Sequence, residues 1–156
     1  MSGIKFNDLF LNFHELFSKK MDLKIQYSQM CQLRVRYGET DRMGYCYYGN
    51  YAEFLEVGRV EAIRSKGITY KKLEDDGIML PVYEFQIKYL APAFYDDLLN
   101  IVTCISHLKG SRLYFTYEIF NQENKKLVEA STTLVFVKAD TMKPTLAPDS
   151  FINKFI

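Results

Sequence analysis

The chain has 156 residues, of which 48% are hydrophobic and 25% charged, and its formal net charge at pH 7 is +1. This length and composition predict one folded domain with a sizeable core. The near-neutral charge excludes a global attraction to nucleic acid or to an anionic membrane, and no apolar run approaches the ~20 residues of a membrane-spanning helix.

Residues 1–29 predict an amphipathic helical extension in front of the main domain. Their apolar side chains recur at the spacing of one helix face, and they are Phe6, Leu9, Phe10, Phe13 and Phe17. We expect this face to pack on the same domain or on a partner subunit. Docking to another protein or to a membrane surface is the alternative, and the scarcity of Lys and Arg before Lys19 disfavours the membrane.

Residues 30–156 form the predicted main domain, which begins with a half-buried strand over Cys31–Tyr37, where apolar and polar side chains alternate. The longest predicted helix follows. We expect Asn50 to be its N-cap and Glu53 to complete a capping box. One helical face is apolar or small and would allow close packing; it carries Tyr51, Phe54, Leu55, Gly58 and Ala62.

The second half of the chain changes to period-two alternation. A short helix over Tyr70–Asp76 precedes the change. Four strands are then predicted, and they contain Val82–Leu90, Leu98–Leu108, Leu113–Phe120 and Lys126–Lys138. One strand, one long helix and four further strands indicate the α+β class, with an antiparallel sheet of about five strands and helices on one face.

Asp41 is the candidate catalytic residue, because it lies on a loop with Gly44 just before the long helix. A carboxylate can attack a carbonyl carbon or activate water. Unpaired amides at a helix start can stabilise the negative charge that develops on the carbonyl oxygen. The alternative is that Asp41 only closes an Asx turn beside Gly44, and the spacing by itself favours that alternative.

A second candidate site lies in the turn that carries Lys109, Ser111 and Arg112. Two cations and a hydroxyl suit phosphate groups, although a solvated hairpin tip explains them equally well. The three cysteines, Cys31, Cys46 and Cys104, are widely spaced and odd in number. This pattern favours reduced thiols and a cytoplasmic location. Cys46 is a candidate nucleophile, but no histidine is near it in sequence.

The segment around Asp41 resembles the 4-hydroxybenzoyl-CoA thioesterase family. The resemblance rests on Thr40-Asp41, Gly44, Tyr47-Tyr48-Gly49-Asn50-Tyr51 and the helix through Glu56 and Arg59, with support from Tyr89-Leu90-Ala91-Pro92-Ala93, Asp96-Asp97 and Met142-Lys143-Pro144. It covers roughly residues 32–148. It implies the hot-dog fold, in which the antiparallel sheet wraps around one long central helix.

The resemblance implies an acyl-CoA thioesterase that hydrolyses the thioester to a free acid and coenzyme A. Asp41 matches the family's catalytic carboxylate, which acts as nucleophile or general base, and Tyr48 matches the residue whose backbone N–H polarises the carbonyl. A branch of the family has histidine there, and a phenol with a pKa near ~10 cannot replace its imidazole as a base. The expected substrate-binding residues are Gly44, Tyr47, Gly49, Asn50 and Tyr51, and the expected CoA-binding residues are Lys109, Ser111 and Arg112.

The resemblance also implies that no metal or redox cofactor is needed, and that the protein is a homodimer or homotetramer with active sites at subunit boundaries. An acyl carrier protein is an alternative carrier of the acyl group. Two other functions stay open. One is a hot-dog hydratase or dehydratase, which would need a histidine beside a carboxylate. The other is a non-catalytic module that binds acyl-CoA or acyl carrier protein.

Overall fold

Seven strands and three helices follow one another in residues 22–156, the part of the chain that the computed structural model describes. In chain order they are β1 (Asp22–Arg34), α1 (Asn50–Arg64), α2 (Tyr70–Asp75), β2 (Ile78–Met79), β3 (Val82–Tyr89), β4 (Leu98–Lys109), β5 (Arg112–Phe120), β6 (Lys126–Val135), β7 (Val137–Lys138) and α3 (Asp149–Ile152). A single 3₁₀ turn, Tyr37–Glu39, lies between β1 and α1.

The main sheet has five strands in the order β1-β4-β5-β6-β3, and every neighbouring pair is antiparallel. β2 and β7 pair separately as a short ribbon. The alternation along β4 and β5 places one row of side chains in the core, and α1 packs over this inner face against β1 and β4. The predicted α+β class, with five antiparallel strands and one long helix, is confirmed.

The apolar face of α1 is buried as its spacing predicted, and it includes Tyr51, Phe54, Leu55, Gly58 and Ala62. Gly58 is where the helix comes nearest to the sheet. A Cβ at this position would lie 2.5 Å from Thr103 Oγ1 and 2.8 Å from Ile101 Cγ2. Glycine is therefore required by the approach of α1 to β4, and not by an unusual backbone angle.

Two sequence-based boundaries are wrong. The strand predicted from Cys31 begins at Asp22, so residues 22–29 belong to β1 and not to the helical extension; the helix predicted through Phe17 lies outside the described residues. Asn50 is the first residue of α1 and Gly49 is its N-cap, without a side-chain capping bond. The Asn50 side chain donates instead to the Glu39 carbonyl, at 2.7 Å.

The last predicted strand, Lys126–Lys138, is divided into β6 and β7 at Phe136. The Phe136 amide donates to the Ser111 carbonyl at 2.8 Å, and the Val135 amide donates to the Pro81 carbonyl at 3.0 Å. These bonds keep the end of β6 beside its neighbours in the main sheet, and the next residues, Val137 and Lys138, pair instead with β2. Within residues 22–156, no helix is long and apolar enough to cross a membrane.

Candidate active site

The Asp41 loop is an Asx turn. Asp41 Oδ1 accepts a hydrogen bond from the Met43 amide at 2.8 Å, and the Asp41 carbonyl accepts one from the Gly44 amide at 2.9 Å. Gly44 has φ +84°, a left-handed conformation that a glycine adopts without strain. The structural role considered for Asp41 is therefore real. It uses only one carboxylate oxygen, because Oδ2 accepts no hydrogen bond from the described residues.

Asp41 also lines a cavity of about 430 Å³, and the same cavity is lined by Tyr48 at the start of α1. A volume of this size is typical of small-molecule sites. The remaining walls are mostly aromatic and aliphatic, and are formed by Met43, Tyr45, Cys46, Tyr51, Tyr89, Leu90, Ala91 and Pro92. The two residues predicted to be catalytic therefore lie at one cavity, as does the predicted substrate-binding residue Tyr51.

The chain just before α1 has two unused amide donors. In the described part of the chain, the backbone N–H groups of Tyr48 and Gly49 donate to no acceptor, whereas the next amide, that of Asn50, bonds to the Tyr47 carbonyl at 3.0 Å. Unpaired amides at a helix N-terminus attract negative charge. A carboxylate oxygen without a hydrogen bond, on Asp41, and two amide donors without an acceptor are therefore found in the same region of the described chain.

Tyrosines form one wall of the cavity. The Tyr48 side chain is 63% exposed, and its ring centroid is 4.7 Å from that of Tyr47. The Tyr89 hydroxyl donates to the Tyr48 carbonyl at 3.0 Å, and its ring packs edge-on against Tyr51 at 5.4 Å. Burial raises the pKa of both Tyr51 and Tyr89, so both phenols keep their protons at neutral pH.

Glu39 was not predicted from the sequence to be a residue of the site, although it joins the Asp41 loop to α1. Its carbonyl accepts hydrogen bonds from the Tyr47 amide at 2.8 Å and from the Asn50 side chain. Its carboxylate is only 6% exposed and accepts from the backbone N–H of Arg36 at 2.7 Å and from Arg36 Nε at 2.8 Å. The sequence signal that could have revealed this role was the spacing of Glu39, three residues after Arg36.

Four of the predicted substrate-binding residues, Gly44, Tyr47, Gly49 and Asn50, adjoin the Asp41 cavity without lining it. The segment Tyr89–Pro92, which carried the family resemblance only as support, supplies four of its lining residues. Tyr45 also lines it. These contacts depend on how β3 ends beside the helix start, which periodicity does not specify.

The predicted CoA-binding turn lies at the other end of the sheet. Asp41 follows the end of β1 that pairs with Leu98, whereas Lys109 is the last residue of β4. β4 runs for about 36 Å from Leu98, at the end of the sheet near Asp41, to Lys109. Ser111 and Arg112 line a second cavity of about 280 Å³ together with Val82 and Tyr83, so one subunit does not bring this turn to Asp41.

Other candidate groups do not act at this cavity. Burial raises the pKa of the Cys46 thiol to about 11, so this residue is not a thiolate nucleophile at neutral pH. His107 stacks on Tyr114 at 4.1 Å, on the side of the sheet away from α1, and so offers no imidazole to Asp41. Among residues 22–156, no group of three His, Cys, Asp or Glu side chains could hold a metal ion.

Comparison with known proteins gives many matches over most of the chain, and three of them are representative. Acyl-CoA thioester hydrolase YbgC of Escherichia coli O6:H1 is 36% identical over 123 residues, which cover 79% of this chain and 92% of that protein. The structure of a DHNA-CoA thioesterase from Staphylococcus aureus has 34% identity and a TM-score of 0.74, and covers 76% of this chain and 80% of the other. A 4-hydroxybenzoyl-CoA thioesterase mutant in complex with 4-hydroxybenzoyl-CoA has 20% identity and a TM-score of 0.76, with coverage of 83% and 99%, and this likeness shows the fold alone.

Residues 35–155 match the Thioesterase-like superfamily, and this range includes the Asp41 loop, α1 and the whole sheet apart from β1. The structural neighbours confirm the hot-dog fold that the resemblance implied. The resemblance to the 4-hydroxybenzoyl-CoA thioesterase family is likewise confirmed. This chain belongs to the thioesterase-like superfamily.

Proposed function

We propose that the protein is an acyl-CoA thioesterase, which adds water to an acyl-CoA and releases a free acid and coenzyme A. The observation that carries the proposal is the shared cavity, in which the Asp41 carboxylate and the start of α1 are brought together. The relative named acyl-CoA thioester hydrolase, at 36% identity, supports the same activity.

Asp41 is the catalytic carboxylate in this proposal. Its Oδ1 is held by the Met43 amide, which orients the group and leaves Oδ2 for chemistry. Oδ2 either attacks the carbonyl carbon, forming an anhydride that water then hydrolyses to the free acid and the regenerated carboxylate, or removes a proton from the water that attacks the carbonyl carbon directly. As the C–S bond breaks, the thiolate leaves and is protonated to give the free thiol of coenzyme A.

The backbone amides of Tyr48 and Gly49 stabilise the oxyanion. Each such donor contributes about 3–4 kcal/mol to transition-state stabilisation in well-studied enzymes. Gly44 and Asn50 keep the loop and the helix start in place, and Tyr47 and Tyr51 shape the aromatic side of the acyl site. The Tyr48 side chain supplies no base, because the role depends on its backbone.

The active form is a homodimer in which β3 of one subunit pairs with β3 of the other. β3 is an edge strand of the sheet, and its side chains are unusually apolar for exposed positions. The exposed large side chains on it are Val82, Tyr83, Phe85 and Tyr89. An edge of this kind favours pairing with a second copy, and two such dimers could form the homotetramer that the family resemblance implies.

Antiparallel pairing about the middle of β3 would also bring the CoA-binding turn of one subunit close to the Asp41 cavity of the other. The Val82 end of one strand would then lie beside the Tyr89 end of the other. Tyr89 lines the Asp41 cavity, whereas Val82 and Tyr83 line the cavity that contains Ser111 and Arg112. Lys109, Ser111 and Arg112 of the second subunit would thus be near the cavity mouth, where they bind the phosphates of coenzyme A.

Neither a metal ion nor a redox cofactor takes part in this reaction, since a carboxylate and amide donors suffice for a thioester. The three cysteines are unpaired, which supports a reducing compartment such as the cytoplasm. Coenzyme A is the proposed carrier, and an acyl carrier protein is the alternative.

The proposal is tested by measuring thiol release from a panel of acyl-CoAs with wild-type protein, Asp41→Asn and Asp140→Asn. Asp140 is an exposed aspartate in the turn after β7, so its variant is a matched control with wild-type activity. We expect Asp41→Asn to lower kcat by about 100-fold or more and to keep its affinity for acyl-CoA. Full activity in Asp41→Asn would refute the assignment.

Two other outcomes identify the alternative functions. Binding of acyl-CoA by the wild-type protein without thiol release supports the non-catalytic module. Hydration of crotonyl-CoA without thiol release supports the hydratase, although His107 is poorly placed for it.

The dimer is tested with Phe85→Lys, which places a charge on the β3 edge. The measured molar mass should fall to that of a monomer, and an unchanged mass would rule out this interface.

A further inference from the structure

We propose that Tyr89 is a positioning residue for the oxyanion site, because its hydroxyl holds the peptide group that joins Tyr48 to Gly49. This inference rests on the proposed function and adds a second group to it. Tyr89 lies on β3, far from Asp41 in sequence, and its hydroxyl donates a hydrogen bond to the Tyr48 carbonyl, 3.0 Å long.

The bonded carbonyl and the Gly49 N–H belong to the same peptide unit. A hydrogen bond accepted by the carbonyl polarises the whole unit, which makes its N–H a stronger donor. It also fixes the rotation of the peptide plane. Because the Gly49 N–H donates to no acceptor in the described part of the chain, the polarised donor is available to a substrate oxygen.

The packing around this peptide restricts its alternatives. The Tyr89 ring lies edge-on to Tyr48 at 6.4 Å and to Tyr51 at 5.4 Å. A Cβ at Gly49 would lie 2.6 Å from Cε1 of Tyr47, so the Tyr47 ring lies close to the Gly49 backbone and leaves it little room to move. The Tyr51 amide contacts the same carbonyl only at 3.4 Å, so Tyr89 makes the shorter bond.

The Tyr89 phenol remains a donor throughout the neutral range. Desolvation is the main reason that its pKa is raised, followed by the neighbouring Tyr48 and Cys46. Asp41, Tyr45 and Tyr51 are the other ionisable groups of the same cavity. A phenolate at this position could not donate to a carbonyl, and it would place a negative charge beside the forming oxyanion.

Tyr89→Phe removes the hydroxyl and keeps the ring contacts. We expect kcat to fall about 10-fold, a smaller loss than removal of a whole oxyanion donor, while KM changes by less than about twofold, because the donor matters more in the transition state than in the bound substrate. Tyr114→Phe is the matched control, since Tyr114 packs against His107 away from α1. A wild-type kcat in Tyr89→Phe would overturn the proposal.

A second measurement reports on the peptide itself. The chain has 8 glycines, so protein labelled with ¹⁵N-glycine gives a small set of amide signals in which Gly49 can be followed. In the substrate-free enzyme, Tyr89→Phe should shift the Gly49 amide signal and leave those of distant glycines such as Gly110 unchanged. A kcat loss without this shift would mean that the phenol acts on the substrate directly, which contradicts a positioning role.

A ring-fluorinated tyrosine at position 89 separates donation from packing. Its phenol ionises at lower pH than tyrosine does, so kcat should be close to that of the wild type in acid and should fall as the phenol ionises, whereas the wild-type profile shows no such fall. An identical pH profile would count against the proposal. If Asp41→Asn is fully active, the proposed function fails; if Asp41→Asn is inactive and Tyr89→Phe is fully active, only the role of Tyr89 fails.

Discussion

Substitution of Gly58 by alanine tests the closest approach in the core. In an isolated helix this change is favourable by about 1 kcal/mol, because glycine loses more backbone entropy than alanine. Here the added methyl group would lie 2.5 Å from Thr103 Oγ1 and 2.8 Å from Ile101 Cγ2. Neither neighbour has room to move, since Thr103 and Ile101 are fully buried.

Overpacking of this kind costs about 1–3 kcal/mol, and more where the backbone must shift. After subtraction of the gain in helix propensity, we expect Gly58→Ala to lower the free energy of unfolding by up to about 2 kcal/mol. The assay is urea unfolding followed by circular dichroism. Protein concentration must be held fixed, because dissociation of an oligomer contributes to apparent stability.

The control is a double-mutant cycle with Thr103→Ala. The Thr103 hydroxyl is buried without a hydrogen-bond partner, so its removal forfeits no hydrogen bond and clears the nearest obstacle to the new methyl group. The two changes together should therefore cost less than the sum of their separate costs, by about 1 kcal/mol. If Gly58→Ala alone makes the protein more stable, the helix is not pressed against β4 and the packing argument is wrong.

Three further outcomes are expected. Glu39→Ala should lower the free energy of unfolding by about 1–2 kcal/mol, because the partly buried Arg36 amide loses its acceptor; urea unfolding measures this, and an unchanged midpoint would contradict it. The pKa of the Cys46 thiol in the folded state is raised to about 11, above its unfolded value of about 8.5. The contribution of this thiol to stability is therefore fully present below the unfolded pKa and is lost as the pH rises through 11. The free energy of unfolding should decline over that range, and less steeply in Cys46→Ala. Dialysis against EDTA should leave thiol release intact, whereas activity restored only by an added divalent metal would disprove the metal-free mechanism.

The positions of most elements could be predicted from the sequence because their side-chain periods were regular. The buried face of α1 and the strands β4 and β5 follow their predicted periods closely, whereas β3 forms where it was predicted but is exposed along almost all of its length. The front half of β1 was missed. Its inward row runs through Leu23, Ile25 and Tyr27 but then reaches Gln29, and a polar residue in that row interrupts the apolar signal. Pairing with β4 stabilises the strand in spite of it.

The candidate site also has a part that could be predicted from the sequence and a part that could not. Asp41 and Tyr48 are seven residues apart and could be placed together from local sequence, since both flank one helix start. Tyr89 and Leu90 reach the cavity only because β3 lies beside that helix start in the fold, a contact between distant parts of the chain. The N-cap assignment of Asn50 was wrong because the Glu39 carbonyl binds its side chain, and propensity for a cap does not reveal such a competitor.

The Glu39 carbonyl accepts two hydrogen bonds, and this makes the geometry of the catalytic groups depend on local contacts more than on the stability of the whole fold. One oxygen atom fastens both the segment after Asp41 and the first residue of α1, so the spacing of the reacting groups is fixed within a stretch of about a dozen residues. Defects in parts of the sheet away from this loop, from Tyr89 and from the proposed dimer edge and CoA-binding turn should change how many molecules are folded at a given temperature, while each folded molecule keeps its turnover rate. Thermal tolerance could therefore drift widely among relatives that preserve this local fastening.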